Sequence, residues 1–172
     1  ALVHVFEPGD AATSGLRRTG ILVFAVLAYW VYVRAVEKRP ATELRAGPGW
    51  IALGGLSGGL LIGFAMLLLF AAGVYEVTAV PGPQAGLWGV AGLILVAATL
   101  EEIVFRCILF RILEGAVGTL PALWLQSGVF AVLHIANANG EADSAAVVVT
   151  MVSGVVIGAA WTMVFVISRN LW

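Results

Sequence analysis

Apolar residues fall in long blocks along this chain, and polar residues collect between them. A membrane-spanning helix needs about 20 mostly apolar residues. Five blocks meet that length: residues 20–36, 50–75, 86–113, 120–136 and 144–167. The connections carry turn chemistry. "EKRPATELRAGPG" holds Pro40 and Pro48, and "PGPQAG" breaks the chain at Pro81 and Pro83. "EGAVGTLP" predicts a turn over residues 114–119, and "NANGEAD" predicts the next one. The pattern predicts an all-α polytopic transmembrane helix bundle with about five membrane helices. It divides the chain into an N-terminal tail, residues 1–19, and a single transmembrane domain, residues 20–172.

Composition agrees with the pattern. The chain of 172 residues is 61% hydrophobic and only 11% charged, with a mean hydropathy of +1.02. That excludes an ordinary soluble domain. A net charge of −1 excludes nucleic acid as a partner, and the lipid bilayer takes its place. One cysteine, Cys107, leaves neither an internal disulfide nor a multi-cysteine metal site. Its plain role is that of a small hydrophobe in a helix. The chain begins with Ala1 and shows no signal-peptide pattern, so a trimmed N-terminus is expected. His4 lies in the tail and reads as solvated.

Lys and Arg set the topology. One side receives Arg34, Lys38, Arg39, Arg45, Arg106, Arg111 and Arg169; the other receives Arg17 and Arg18, with Glu76, Glu141 and Asp143. This puts the N-terminus outside and residues 37–49 in the cytoplasm, with Arg106, as a buried residue, left out of the count. Small residues recur four apart at Gly54/Gly58, Gly55/Gly59, Gly59/Gly63 and Gly154/Gly158. In lipid such spacing lets helix backbones approach. Packing within the bundle is the simpler reading, and a dimer face the alternative.

The third block contains "TLEEIVFRCILF". Each ionisable group in a membrane helix costs about 2.5–3.5 kcal/mol on insertion scales, and such groups usually face the bundle interior or a water-filled cavity. In an α-helix Glu102 and Arg106, four apart, share a face and can pair. Glu101 then points about 100° away, without a partner in its own helix. The next block carries His134 in "GVFAVLHIAN". Glu101 lies about 15 residues before the centre of the intervening turn and His134 about 17 after it, a mismatch in depth of about 3 Å. The two can face each other at one level, with Phe130 and Asn137 one turn to either side of His134. Burial favours the neutral form of a carboxylate, and a neutral imidazole can accept a proton. Together they suit general-base activation of water for hydrolysis. A metal wants three or more protein ligands, and only Glu102 or Asn137 is at hand as a third, so no metal is expected. A proton relay is another use of such a pair.

"EEIVFR" fits an EExxxR motif and "FAVLH" an FxxxH motif about 30 residues later. Together, in consecutive membrane helices, they resemble the CPBP family, also called the Abi or CAAX-protease-and-bacteriocin-processing family. It includes the type II CAAX prenyl endopeptidases. The resemblance runs loosely from Arg34 and closely from Gly86 to Trp172. It implies an intramembrane, glutamate-dependent endopeptidase without metal or other cofactor, in a prokaryotic cell membrane. Glu101 would be the catalytic glutamate and His134 its partner in activating water. Glu102 and Arg106 would be the supporting pair, and the substrate a peptide or lipidated protein. The family's CAAX proteases also carry an HxxxN motif on a later helix, which supplies oxyanion stabilisation. This sequence stops at "ISRNLW", just short of where the resemblance would place that helix. A truncated chain, inactive as it stands, is therefore expected.

Two other function classes compete with the protease. One is a non-catalytic membrane protein, with an interaction or bacteriocin-immunity role, that uses the polar cluster structurally. The other is a proton-coupled transporter, disfavoured because no internal repeat is visible. The positive-inside orientation places Glu101 and His134 past the bilayer middle, toward the "NANGEAD" loop. A CAAX-type site is expected to open to the cytoplasm, so either the hairpin is tilted or the orientation is inverted.

Overall fold

The computed structural model describes residues 11–45, 47–76, 85–136 and 144–172. Among these, the regular elements are helical: α1 (Ala11–Ala35), α2 (Pro48–Ala71), α3 (Ala85–Glu101), a π-helical segment (Glu102–Phe110), α4 (Arg111–Val117), α5 (Thr119–Ala136) and α6 (Ser144–Ser168). Each of the five apolar blocks falls on helix, and the fold is an all-α membrane bundle. Three helices are long and apolar enough to cross a membrane on length and composition: Thr13–Ala35, Pro48–Ala71 and Val147–Ser168. Helix α5 is shorter, and the rod from α3 to α4 changes from α- to π-helix at Glu102.

Element ends differ from the apolar blocks for local reasons. Helix α1 starts at Ala11 rather than near Gly20, because Ala, Leu and Arg extend a helix beyond its lipid-compatible part. Helix α2 stops at Ala71 rather than near Tyr75. There Gly73 adopts φ +70°; its N–H bonds to the Phe70 carbonyl at 3.0 Å and the Val74 N–H to the Leu69 carbonyl at 3.0 Å. This is a left-handed glycine stop that side chains with a Cβ resist. The expected six-residue turn over 114–119 contracts to Gly118, at φ +84°. Its N–H bonds to the Glu114 carbonyl at 3.0 Å, and its own carbonyl accepts from the Ala122 N–H at 3.1 Å.

The core forms where α1, the π-helical segment, α5 and α6 meet, around Tyr29, Ile103, Cys107, Phe110, Leu123 and Phe165. The rings of Phe110 and Phe165 meet edge to face with centroids 6.2 Å apart. Helices α5 and α6 approach closely at two glycines. A Cβ on Gly154 would come within 3.0 Å of the Ala131 backbone, and one on Gly158 within 3.3 Å of Ser127. This pair therefore serves packing within the bundle. Helix α2 is different: it buries no residue, and Cβ atoms on Gly55, Gly58, Gly59 and Gly63 would meet nothing within 4 Å. It is apolar all round, as a lipid-facing span is.

A polar knot ties one end of the bundle. Glu43, in a 3₁₀ turn (Thr42–Leu44), is 1% exposed. It accepts hydrogen bonds from Arg39 at 2.7 and 2.9 Å and one from the Tyr29 hydroxyl. The Tyr29 hydroxyl also lies 3.3 Å from the Cys107 carbonyl oxygen, and Arg111 approaches Glu43 at 3.7 Å. Burial works against ionisation of Glu43. The hydrogen bonds from Arg39 and Tyr29 outweigh it and hold the carboxyl at about 2. The chain after α6 seals this end. The Leu171 N–H bonds to the Glu43 carbonyl at 2.9 Å, and the Trp172 indole N–H to the Leu44 carbonyl at 3.1 Å.

Candidate active site

The stretch around "EEIVFR" is where the helix changes type. Glu101 is the last residue of α3 and Glu102 the first of the π-helical segment. A π-helix closes i→i+5 hydrogen bonds; it is rare, and often found at functional sites. The 100° step assumed for a regular α-helix therefore does not apply beyond Glu101. The wider turn brings Ile103, Phe105, Arg106, Cys107 and Phe110 into the protein interior together. Tyr29 reaches the segment at the Cys107 carbonyl.

Glu102 and Arg106 form an ion pair, with Oε1 and Nη1 3.3 Å apart. Arg106 is 1% exposed, so it takes no part in surface topology signals. Its Nε and Nη2 groups have no hydrogen-bond acceptor among the described residues. Aromatic faces substitute in part: the guanidinium carbon sits 5.0 Å from the Phe130 ring centroid and 6.0 Å from that of Phe105. Glu101 makes no hydrogen bond or ion pair with another described residue. Arg106 is therefore matched to one of two adjacent carboxylates, and the second is left over.

His134 is half-buried on α5. Its Nδ1 lies 2.8 Å from the Phe130 carbonyl oxygen. A carbonyl oxygen only accepts, so Nδ1 carries a hydrogen, and in a neutral imidazole Nε2 is then the acceptor. The imidazole stacks on the Phe130 ring with centroids 4.1 Å apart and planes tilted by 37°. Phe130 also meets Phe105 edge to face at 5.1 Å.

A cleft of about 560 Å³ opens beside these groups. Glu101, Glu102, Arg106 and Phe130 line it, together with Trp50, Ser57, Trp161 and Trp172. His134 is not among its lining residues, and no hydrogen bond joins it to Glu101. The structure thus brings Glu101, Glu102, Arg106 and Phe130 to one cleft and sets His134 against Phe130. Asn137 and His4 lie outside the described residues. Among the described residues, no three His, Cys, Asp or Glu side chains converge in a way that would hold a metal. The tryptophans of α2 and α6 went unread in the sequence, where an aromatic in an apolar helix looks the same whether it faces lipid or a cleft.

No curated protein and no solved structure matches the chain. A family model described as type II CAAX prenyl endopeptidase Rce1-like matches residues 83–172, which include both motifs and every described residue of the site from Glu101 to His134. The match covers more than half of the chain, which therefore belongs to the type II CAAX prenyl endopeptidase Rce1-like family of membrane proteases.

Proposed function

We infer that this protein is an intramembrane endopeptidase in which Glu101 and His134 activate a water molecule without a metal. The observation that carries this reading is the unpaired Glu101 carboxylate lining the cleft, beside a Glu102 already engaged by Arg106. A paired carboxylate is a poor base; an unpaired one in an apolar cleft is free to take a proton. Glu101 removes a proton from water, and the oxygen attacks the scissile carbonyl carbon. The C–O bond forms, the C–N bond breaks, and the proton held on Glu101 passes to the leaving amine. His134, protonated at Nδ1, offers Nε2 as an acceptor that orients the water.

The cleft suits a peptide from a membrane-associated or lipidated protein, since its walls are apolar and aromatic. On this reading residues 20–172 belong to one multi-pass domain in a prokaryotic cell membrane. Mass spectrometry of C-terminally lipidated peptides incubated in liposomes with the purified protein, expressed from its whole gene, tests the proposal. A single internal cut, lost in His134→Ala, is the expected result. Intact peptides with a correctly folded protein would favour a non-catalytic interaction role for the same cluster.

A further inference from the structure

Phe130 links groups that otherwise do not meet. Its ring stacks on His134 at 4.1 Å, lies 5.0 Å from the Arg106 guanidinium carbon and meets the edge of Phe105 at 5.1 Å. Its own carbonyl oxygen takes the hydrogen bond of His134 Nδ1 at 2.8 Å. We propose that Phe130 is the positioning residue of the site: ring and carbonyl together lock His134 in the Nδ1–H tautomer, with Nε2 as the free acceptor.

The two contacts do different work. Any residue at position 130 supplies a carbonyl four residues before His134. That carbonyl alone does not hold an imidazole, because the terminal torsion of a histidine side chain is broad. The stacked ring removes that freedom and keeps Nδ1 on the carbonyl. The same ring meets the Arg106 guanidinium, which binds Glu102 through Nη1 alone and leaves Nε and Nη2 without acceptors among the described residues. A purely volume-filling Phe130 would be replaceable by leucine. An orienting one would be replaceable only by another ring. The catalytic consequence rests on the protease reading; the tautomer does not.

The test uses ¹⁵N-histidine-labelled protein in a His4→Gln background, which leaves His134 as the only imidazole. Nitrogen spectra are recorded at about pH 8.5, where an imidazole is neutral. The parent and Phe130→Tyr should show a protonated Nδ1 and an unprotonated Nε2. Phe130→Leu should lose that pattern, giving averaged or Nε2–H signals. If peptide cleavage is measurable, Phe130→Leu should lower kcat about tenfold, part of the 10²–10⁴ a general base supplies. Its KM should stay within about twofold, and Phe130→Tyr should restore kcat, because oriented binding of the water and not of the peptide is affected. A parent with Nε2–H, or a Phe130→Leu variant that keeps the Nδ1–H pattern, would overturn the proposal. The expected nitrogen pattern without any peptide cleavage would support the positioning role and remove the protease reading.

Discussion

Replacing Glu43 by glutamine tests the polar knot through its dependence on pH. The Glu43 carboxyl is held at about 2 against an ordinary value of 4.5. At about 1.4 kcal/mol per pH unit, that difference contributes roughly 3 kcal/mol to stability at neutral pH. The sign follows from the depressed value. The contribution is complete above pH 4.5 and declines as the pH falls toward 2, because the folded state then loses its charged carboxylate. Glu43→Gln keeps the shape and removes the charge, leaving Arg39 and Arg111 without it. Unfolding in mixed detergent micelles, followed by the fluorescence of the six tryptophans, should show a gap of about 3 kcal/mol at pH 7 that closes on acidification. Arg169→Ala is the comparison. Its bond to Glu114 is as short, at 2.7 Å, but Arg169 is 49% exposed, so less than about 1 kcal/mol is expected. A gap that stays constant between pH 7 and pH 2, or one no larger than that of Arg169→Ala, would refute the reasoning.

Other outcomes follow from packing and pairing. Gly154→Ala places a methyl 3.0 Å from the Ala131 backbone and should cost about 1–3 kcal/mol; Gly58→Ala, with open space around it, should cost nothing measurable in the same unfolding assay. Arg106→Met should destabilise by about 3–5 kcal/mol by stranding a carboxylate. Adding Glu102→Gln to Arg106→Met should recover part of that loss, which a double-mutant cycle reads directly.

The helices were legible because lipid imposes long apolar blocks whatever the tertiary contacts are. Glu102 and Arg106 were legible as a pair because a four-residue spacing survives the change from α- to π-helix well enough to leave a 3.3 Å contact. The π-helix itself was not legible: nothing in "EIVFRCILF" forbids an α-helix, and the wider turn arises with packing and with Tyr29 at the Cys107 carbonyl. Glu43 was hidden for a related reason. A glutamate among prolines and arginines reads as a solvated loop residue, and only the fold brings Tyr29 from α1 and Arg111 from α4 to it. Depth matching placed Glu101 and His134 at one level. Helical spacing put Phe130 one turn before His134 but gave none of its ring contacts: the ring lines the cleft and stacks on the histidine.

The most direct test of the central claim compares Glu101→Gln with Glu102→Gln in a peptide-cleavage assay in liposomes of the purified protein, expressed from its whole gene. The two changes are identical in chemistry and adjacent in sequence, so they differ only in the role of the carboxylate. The account predicts that Glu101→Gln loses at least about 10²–10⁴ in kcat, the share of a general base, with its unfolding unchanged. Glu102→Gln should instead lose stability and keep measurable turnover. Full activity in Glu101→Gln, or the opposite ranking of the two variants, would contradict the assignment of Glu101 as the base.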